Sequence, residues 1–194
     1  MYIYLSSINP SWNVELNMGN PDTLYYVLKY CIDNYPSDHY WVILDNHGGA
    51  YNGVCWDDSW GDHLSIGDLK TTFSSIASYL GRKFDGIYFH ACLMSNLEGA
   101  VQLSPYVGYI VGFEPSVTMG EFNLDNDVVV NTLVTNPSIS PRDFAIELIN
   151  QAFISEMGDT LIAAVKLSIT QDLIDDIDNL ATQLMKILIF MEKK

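Results

Sequence analysis

Apolar positions along the chain follow two rhythms that trade places almost from end to end. After a β-prone start over residues 2–7, Leu24, Val27, Leu28, Cys31 and Ile32 recur at helical spacing, with Asn20 in the capping position and Pro21 as the first helical residue. Residues 40–45 (YWVILD) then form a mostly apolar, β-branched and aromatic run, which suits a strand buried on both faces of a parallel sheet. That run stops abruptly at NHGGAYNG. Beyond it, Ser65 and Asp68 have the spacing of a capping box, and Leu69, Phe73, Ile76, Ala77 and Leu80 line one side of a helix closed by Gly81.

A second strand follows at 85–90, and ACLMSNLEGAVQL turns helical directly after it, with Leu93, Leu97, Ala100 and Val101 on one face. A third buried strand is predicted at 109–113, helices at 126–135 and from 141 to about 157, a strand at 161–167 and a helix from 171 onward. Alternation of this kind predicts an α/β fold, a three-layer α/β/α sandwich around a mainly parallel sheet with right-handed crossovers. With no repeat, linker or low-complexity tract, the 194 residues read as a single domain with a sizeable core.

Charge narrows the partners. Nine Lys and Arg against twenty-four Asp and Glu give a formal charge of −15, which repels phosphates and anionic headgroups, so neither nucleic acid nor membrane is expected as a partner. No run of eighteen apolar residues occurs, and residues 1–16 lack the basic and apolar regions of a secretory signal. The three cysteines, Cys31, Cys55 and Cys92, form no even framework and no C-x-x-C pair, so no disulfide scaffold and no metal site is assigned. Cys31 falls on the apolar stripe of its helix and reads as core.

Ligand crevices of parallel sheets lie beyond the carboxyl ends of the strands. Two such ends carry chemistry: His47 with Gly48 and Gly49 after one strand, and Cys92 after another. A thiol nucleophile needs a base and donors for the oxyanion formed on attack. His47 is the candidate base. The N–H groups of Gly48 and Cys92 are the candidate oxyanion donors, and the helix predicted just after Cys92 would add its dipole. His39 and His63 have no such context and read as surface or packing residues.

At these residues the chain resembles the clostripain-like cysteine peptidases, through ELNMGNPDTL, NHGGAYNGVCWDD, and ACLMSNLEGAVQL followed by YIVGFE. The resemblance runs from about Glu15 to the strand ending near Leu167. It implies a fold shared with caspases, gingipains and legumain, a catalytic Cys92 and His47, a structural role for Cys55, a peptide or protein substrate, a secreted protein, and no required cofactor. Some family members need calcium, and the acidic residues Asp57, Asp58 and Asp62 are candidates for contacting one.

Two departures bear on function. The family usually carries Asp two residues before the nucleophile, where it helps hold Arg or Lys at P1, the substrate residue preceding the scissile bond. This chain has His90 there. A preference for basic P1 residues is therefore expected to weaken unless Asp45, Asp57, Asp58 or Glu114 supplies the charge, which makes His90, Asp45 and Glu114 the candidate substrate-binding residues. Family chains also normally begin earlier, so the domain is expected to lack N-terminal strands and to expose a sheet edge that a second chain could cover. The rival expectation is a catalytically silent member that binds peptide or protein.

Overall fold

Helix α1 (Pro21–Asn34) starts where the sequence places its cap: the Asn20 side chain accepts the Asp22 N–H at 2.8 Å, and Pro21 supplies a pre-set first residue. Leu24 and Leu28 are its buried residues. Strand β1 (Trp41–Asp45) follows, then a 3-10 turn (Ala50–Asn52) and a small antiparallel hairpin of β2 (Val54–Asp57) and β3 (Asp62–Leu64). Helix α2 (Ile66–Leu80) carries the full capping box between Ser65 and Asp68 and closes on Gly81 in the left-handed conformation, φ 72°. The computed structural model describes residues 15–117, 126–154 and 161–192. The strand expected at 2–7 and the end of the helix expected near 157 lie outside these residues.

Strands β4 (Phe84–His90) and β5 (Val107–Phe113) flank the short helix α3 (Leu97–Leu103). Helices α4 (Asn126–Thr135) and α5 (Pro141–Ile154), strand β6 (Ile162–Lys166) and helix α6 (Thr170–Glu192) complete the order. Sheet order is β1-β4-β5-β6, with β1, β4 and β5 mutually parallel and β6 antiparallel to β5. The expected mainly parallel, helix-flanked sheet is thus present; its antiparallel edge strand was not foreseen.

Alternation along β4 divides the core between the two faces. Ile87 and Phe89 join Leu69, Phe73, Ile76 and Leu103 beneath α1, α2 and α3, whereas Tyr88 joins Val111, Phe113, Phe144 and Leu148 beneath α4 and α5. Five of the seven β4 residues in a row, 86–90, are buried, as a strand covered on both faces requires. No helix among the described residues is long and apolar enough to cross a membrane.

The expected helix directly after Cys92 is delayed. Leu93 adopts a left-handed φ of 62°, and α3 begins only at Leu97. Asn96 explains the delay: its Oδ1 accepts the Gly99 N–H at 2.8 Å while its Nδ2 donates to the Leu93 carbonyl at 3.0 Å. An N-cap that also ties back the preceding turn makes residue 96, not 92, the point of helix entry.

Candidate active site

Because β1 and β4 are parallel neighbours in register, Asp45 lies opposite His90, and the segments bearing His47 and Cys92 leave the sheet at the same rim. Asn46 continues the pairing, its N–H donating to the His90 carbonyl at 3.4 Å. The two segments then meet backbone to backbone. A Cβ on Gly48 would stand 2.0 Å from the Cys92 carbonyl oxygen, and one on Gly49 would stand 2.6 Å from the Trp56 ring. Close approach therefore explains both glycines.

The turn after His47 is pinned from the other side by the hairpin. The His47 carbonyl accepts the Cys55 N–H at 3.2 Å, and the Gly49 N–H donates to the Gly53 carbonyl at 2.9 Å. Gly48 itself pairs with Val54 as an isolated bridge between these two bonds, so its own N–H is left out of the ladder. Neither the Gly48 N–H nor the Cys92 N–H donates to a hydrogen bond among the described residues.

Cys92 is buried, 9% exposed. Its Sγ lies 3.2 Å from both the N–H and the carbonyl oxygen of Val117, and Leu93 N–H donates to Pro115 at 3.2 Å. Residues 115–117, just past β5, thus cover the thiol. The His47 ring is on an exposed residue, and no hydrogen bond joins it to the thiol among the described residues. The helix dipole expected at Cys92 is displaced with the start of α3, and its influence fades within the first turn.

Backbone strain gathers at the same place. Ala50, Cys55 and Leu93 are the non-glycine residues with positive φ among the described residues, at 55°, 61° and 62°. One follows the glycine pair, one bonds to His47, and one follows Cys92. Each left-handed residue costs on the order of 1–2 kcal/mol, a cost sustained where the surroundings over-determine the backbone.

His90 Nδ1 lies 2.8 Å from Asp45 Oδ1. Burial, and then the Asp45 charge, push the Cys55 thiol up to about 11, and the same two causes raise Tyr88. Cys55 therefore stays a neutral thiol near neutrality. Cys31 is also raised by burial. Glu114 lies elsewhere, on a cavity of about 250 Å³ that it shares with Ser95, Asn96, Ala100, Ile110 and Ala163.

Asp57 and Asp62 of the hairpin are turned to its own backbone and neighbours, whereas Asp58 is exposed in the hairpin turn. Asp57 accepts from the N–H groups of Met18, Ser59 and Trp60, while Asp62 accepts from Asn17 Nδ2 and His63 N–H. No group of three or more His, Cys, Asp or Glu among the described residues converges as a metal cage would. His39 bonds Asp85, and His63 stacks on Trp56 at 4.7 Å.

Sequence reasoning missed the role of residues 115–117 and the pairing of Asp45 with His90. The first had a signal, since Pro115 and Val117 follow a third strand end on the same rim. The second required the β1–β4 register.

The sequence model of the clostripain family matches residues 4–192 of this chain. Clostripain from Hathewaya histolytica is 35% identical over 109 residues, spanning 50% of this chain and 20% of clostripain. A secreted C11 cysteine protease from Bacteroides thetaiotaomicron, solved in complex with an irreversible peptide inhibitor, superposes with a TM-score of 0.61 at 22% identity, covering 80% of this chain and 47% of that one. An inactive zymogen C11 protease from Parabacteroides distasonis gives 0.63 at 19%, covering 82% and 43%. At these identities the solved structures speak for the fold, and this chain spans less than half the length of either.

Proposed function

The chain belongs to the clostripain family of cysteine proteases, and we propose that it hydrolyses peptide bonds through Cys92 as nucleophile and His47 as base. The observation that carries this reading is the contact of Gly48 with the Cys92 carbonyl, which ties the histidine-bearing and cysteine-bearing segments together at one rim. His47 takes the Sγ proton, the thiolate attacks the scissile carbonyl, and the N–H groups of Gly48 and Cys92 receive the oxyanion. Collapse of the tetrahedral species, with the proton passed to the leaving amine, gives a thioester. Water activated by His47 then hydrolyses the thioester, and no cofactor enters any step.

Substrates on this reading are peptides or proteins, and the −15 charge draws cationic ones to the surface. Among the described residues β1 and β6 are the outer strands of the sheet, edges that a second polypeptide can cover. Secretion, a property of the Bacteroides thetaiotaomicron relative, is carried over as part of the proposal.

One observation favours a second reading, a silent member that binds peptide or protein: the Cys92 Sγ is engaged by Val117 and buried. Intact-mass labelling by peptidyl acyloxymethyl ketones, with Cys92→Ala and His47→Ala as controls, decides between the two. Labelling confined to Cys92 and dependent on His47 supports the protease. Absence of labelling in protein folded by circular dichroism supports the silent module.

A further inference from the structure

Helix α6 (Thr170–Glu192) is the longest described element, 23 residues or about 34 Å, and the domain that carries it uses little of its surface. Leu173 reaches the cavity beside β6 that Ala163 and Val165 also line, which ties the first turn to the sheet. Ile174 is half-buried, whereas every other residue from 171 to 187 is exposed. Most of the helix therefore stands in the open.

Its open surface is patterned. Leu173, Ile177, Leu180, Leu184 and Ile187 recur at spacings of four, three, four and three, and each is between 41% and 60% exposed. That is the apolar seam of a coiled coil, and a lone helix gains nothing from holding it in water. Along one flank of the seam run Asp172, Asp176, Asn179, Gln183 and Lys186 at the same spacing, acidic toward the start of the helix and basic toward its end.

We propose that α6 is a self-association surface, on which a second copy of this chain docks its own α6 in antiparallel orientation. This inference goes beyond the protease reading and stands or falls without it.

Pattern is the first argument for this occupant. A seam of heptad spacing fits another helix that carries the same spacing, and a two-fold axis lets one surface serve both copies. Charge is the second. Antiparallel pairing that sets Leu180 of one copy against Leu184 of the other, and Ile177 against Ile187, brings Asp176 beside Lys186 at both ends of the seam. Parallel pairing would instead gather Asp172 and Asp176 of both copies at one end, where like charges repel. A lipid surface is the wrong partner: residues 171–187 carry four Asp against one Lys, whereas helices that lie on anionic bilayers have a basic polar face.

The test is analytical ultracentrifugation of the full chain over a wide range of concentration, with folding of each variant checked by circular dichroism. The expected result is a reversible equilibrium between the 21.8 kDa monomer and a species of twice that mass. Leu180→Lys should weaken the association about a hundredfold or more, because the symmetric seam loses that side chain twice. Asp176→Lys should weaken it about two- to tenfold, although the change lowers the net charge and so relieves the general repulsion between copies. Adding Lys186→Asp to Asp176→Lys exchanges the two charges and should restore the original constant to within about twofold.

A chain that stays monomeric at every concentration overturns the inference. So does a dimer indifferent to Leu180→Lys, the sign of joining at a strand edge instead. A dimer strengthened by Asp176→Lys overturns the antiparallel arrangement. Asp176 and Lys186 are exposed in the protomer, so the charge variants report even where Leu180→Lys does not fold.

Discussion

Gly48 lies against the backbone of Cys92, so that a side chain at position 48 would overlap the Cys92 carbonyl oxygen at 2.0 Å. The obstacle is backbone, which cannot swing aside as a flexible side chain does. The histidine turn and the cysteine turn are consequently one packed unit, and any group added between them must separate the two.

Gly48→Ala should therefore lower stability by about 1–3 kcal/mol, the usual cost of overpacking, and should suppress Cys92 labelling beyond that loss. Gly67→Ala is the control: it sits in the first turn of α2, and its new methyl would lie 3.5 Å from the Ser65 hydroxyl. That variant should be neutral or stabilising by up to about 1 kcal/mol. Urea denaturation and labelling of both proteins check the pair.

Residues 115–117 hold the thiol covered, through Val117 on Sγ and the Pro115 carbonyl on Leu93. Pro115→Gly keeps the carbonyl and loosens the chain, so alkylation of Cys92 by iodoacetamide should accelerate severalfold. Equilibrium stability should fall by no more than about 1 kcal/mol. An unchanged alkylation rate would mean that the segment does not limit access.

Asn96 serves both sides of the turn after Cys92, accepting from Gly99 and donating to Leu93. Asn96→Asp keeps the acceptor and loses the donor, so helix capping and stability should stay within about 0.5 kcal/mol. Labelling of Cys92 should slow, because the left-handed Leu93 has lost its tie. Asn96→Ala loses both and should cost about 1–2 kcal/mol in addition.

Cys55 gives a pH prediction. Its thiol is raised to about 11 in the fold, whereas an unfolded thiol ionises near 8.5. Between those values the unfolded chain has released a proton that the folded one retains, so stability falls as pH rises through that window. Tyr88, raised for the same causes, deepens the fall at higher pH. Urea denaturation from pH 7 to 11 should show the decline, and Cys55→Ala should remove on the order of 1–2 kcal/mol of it. A decline of the same depth in Cys55→Ala would refute this assignment.

Much of the architecture was legible because local signals and burial agree. Asn20 with Pro21, and Ser65 with Asp68, marked helix starts that the backbone confirms through hydrogen bonds. A strand was expected at 85–90, and β4 is one, whereas the run at 40–45, expected to be buried on both faces, forms a strand in which only Leu44 is fully buried and Asp45 is exposed. Cys92 and His47 stood out because each followed such a run, and parallel strands place their carboxyl ends at one rim. The stretch after Cys92 misled, since its apolar spacing is helical while Asn96 has a stronger local use as a cap.

By itself the sequence determined which segments are strands and helices and which residues have the chemistry of a nucleophile and a base. These follow from periodicity, capping and side-chain chemistry, all of which act over a few residues. Only the tertiary structure decided that β6 runs antiparallel, that Val117 covers the thiol, and that Asp45 stands opposite His90. Those depend on strand register and loop return, contacts between residues 25 and 45 positions apart. The chain cannot announce such contacts locally, because packing of the whole sheet selects one register from many.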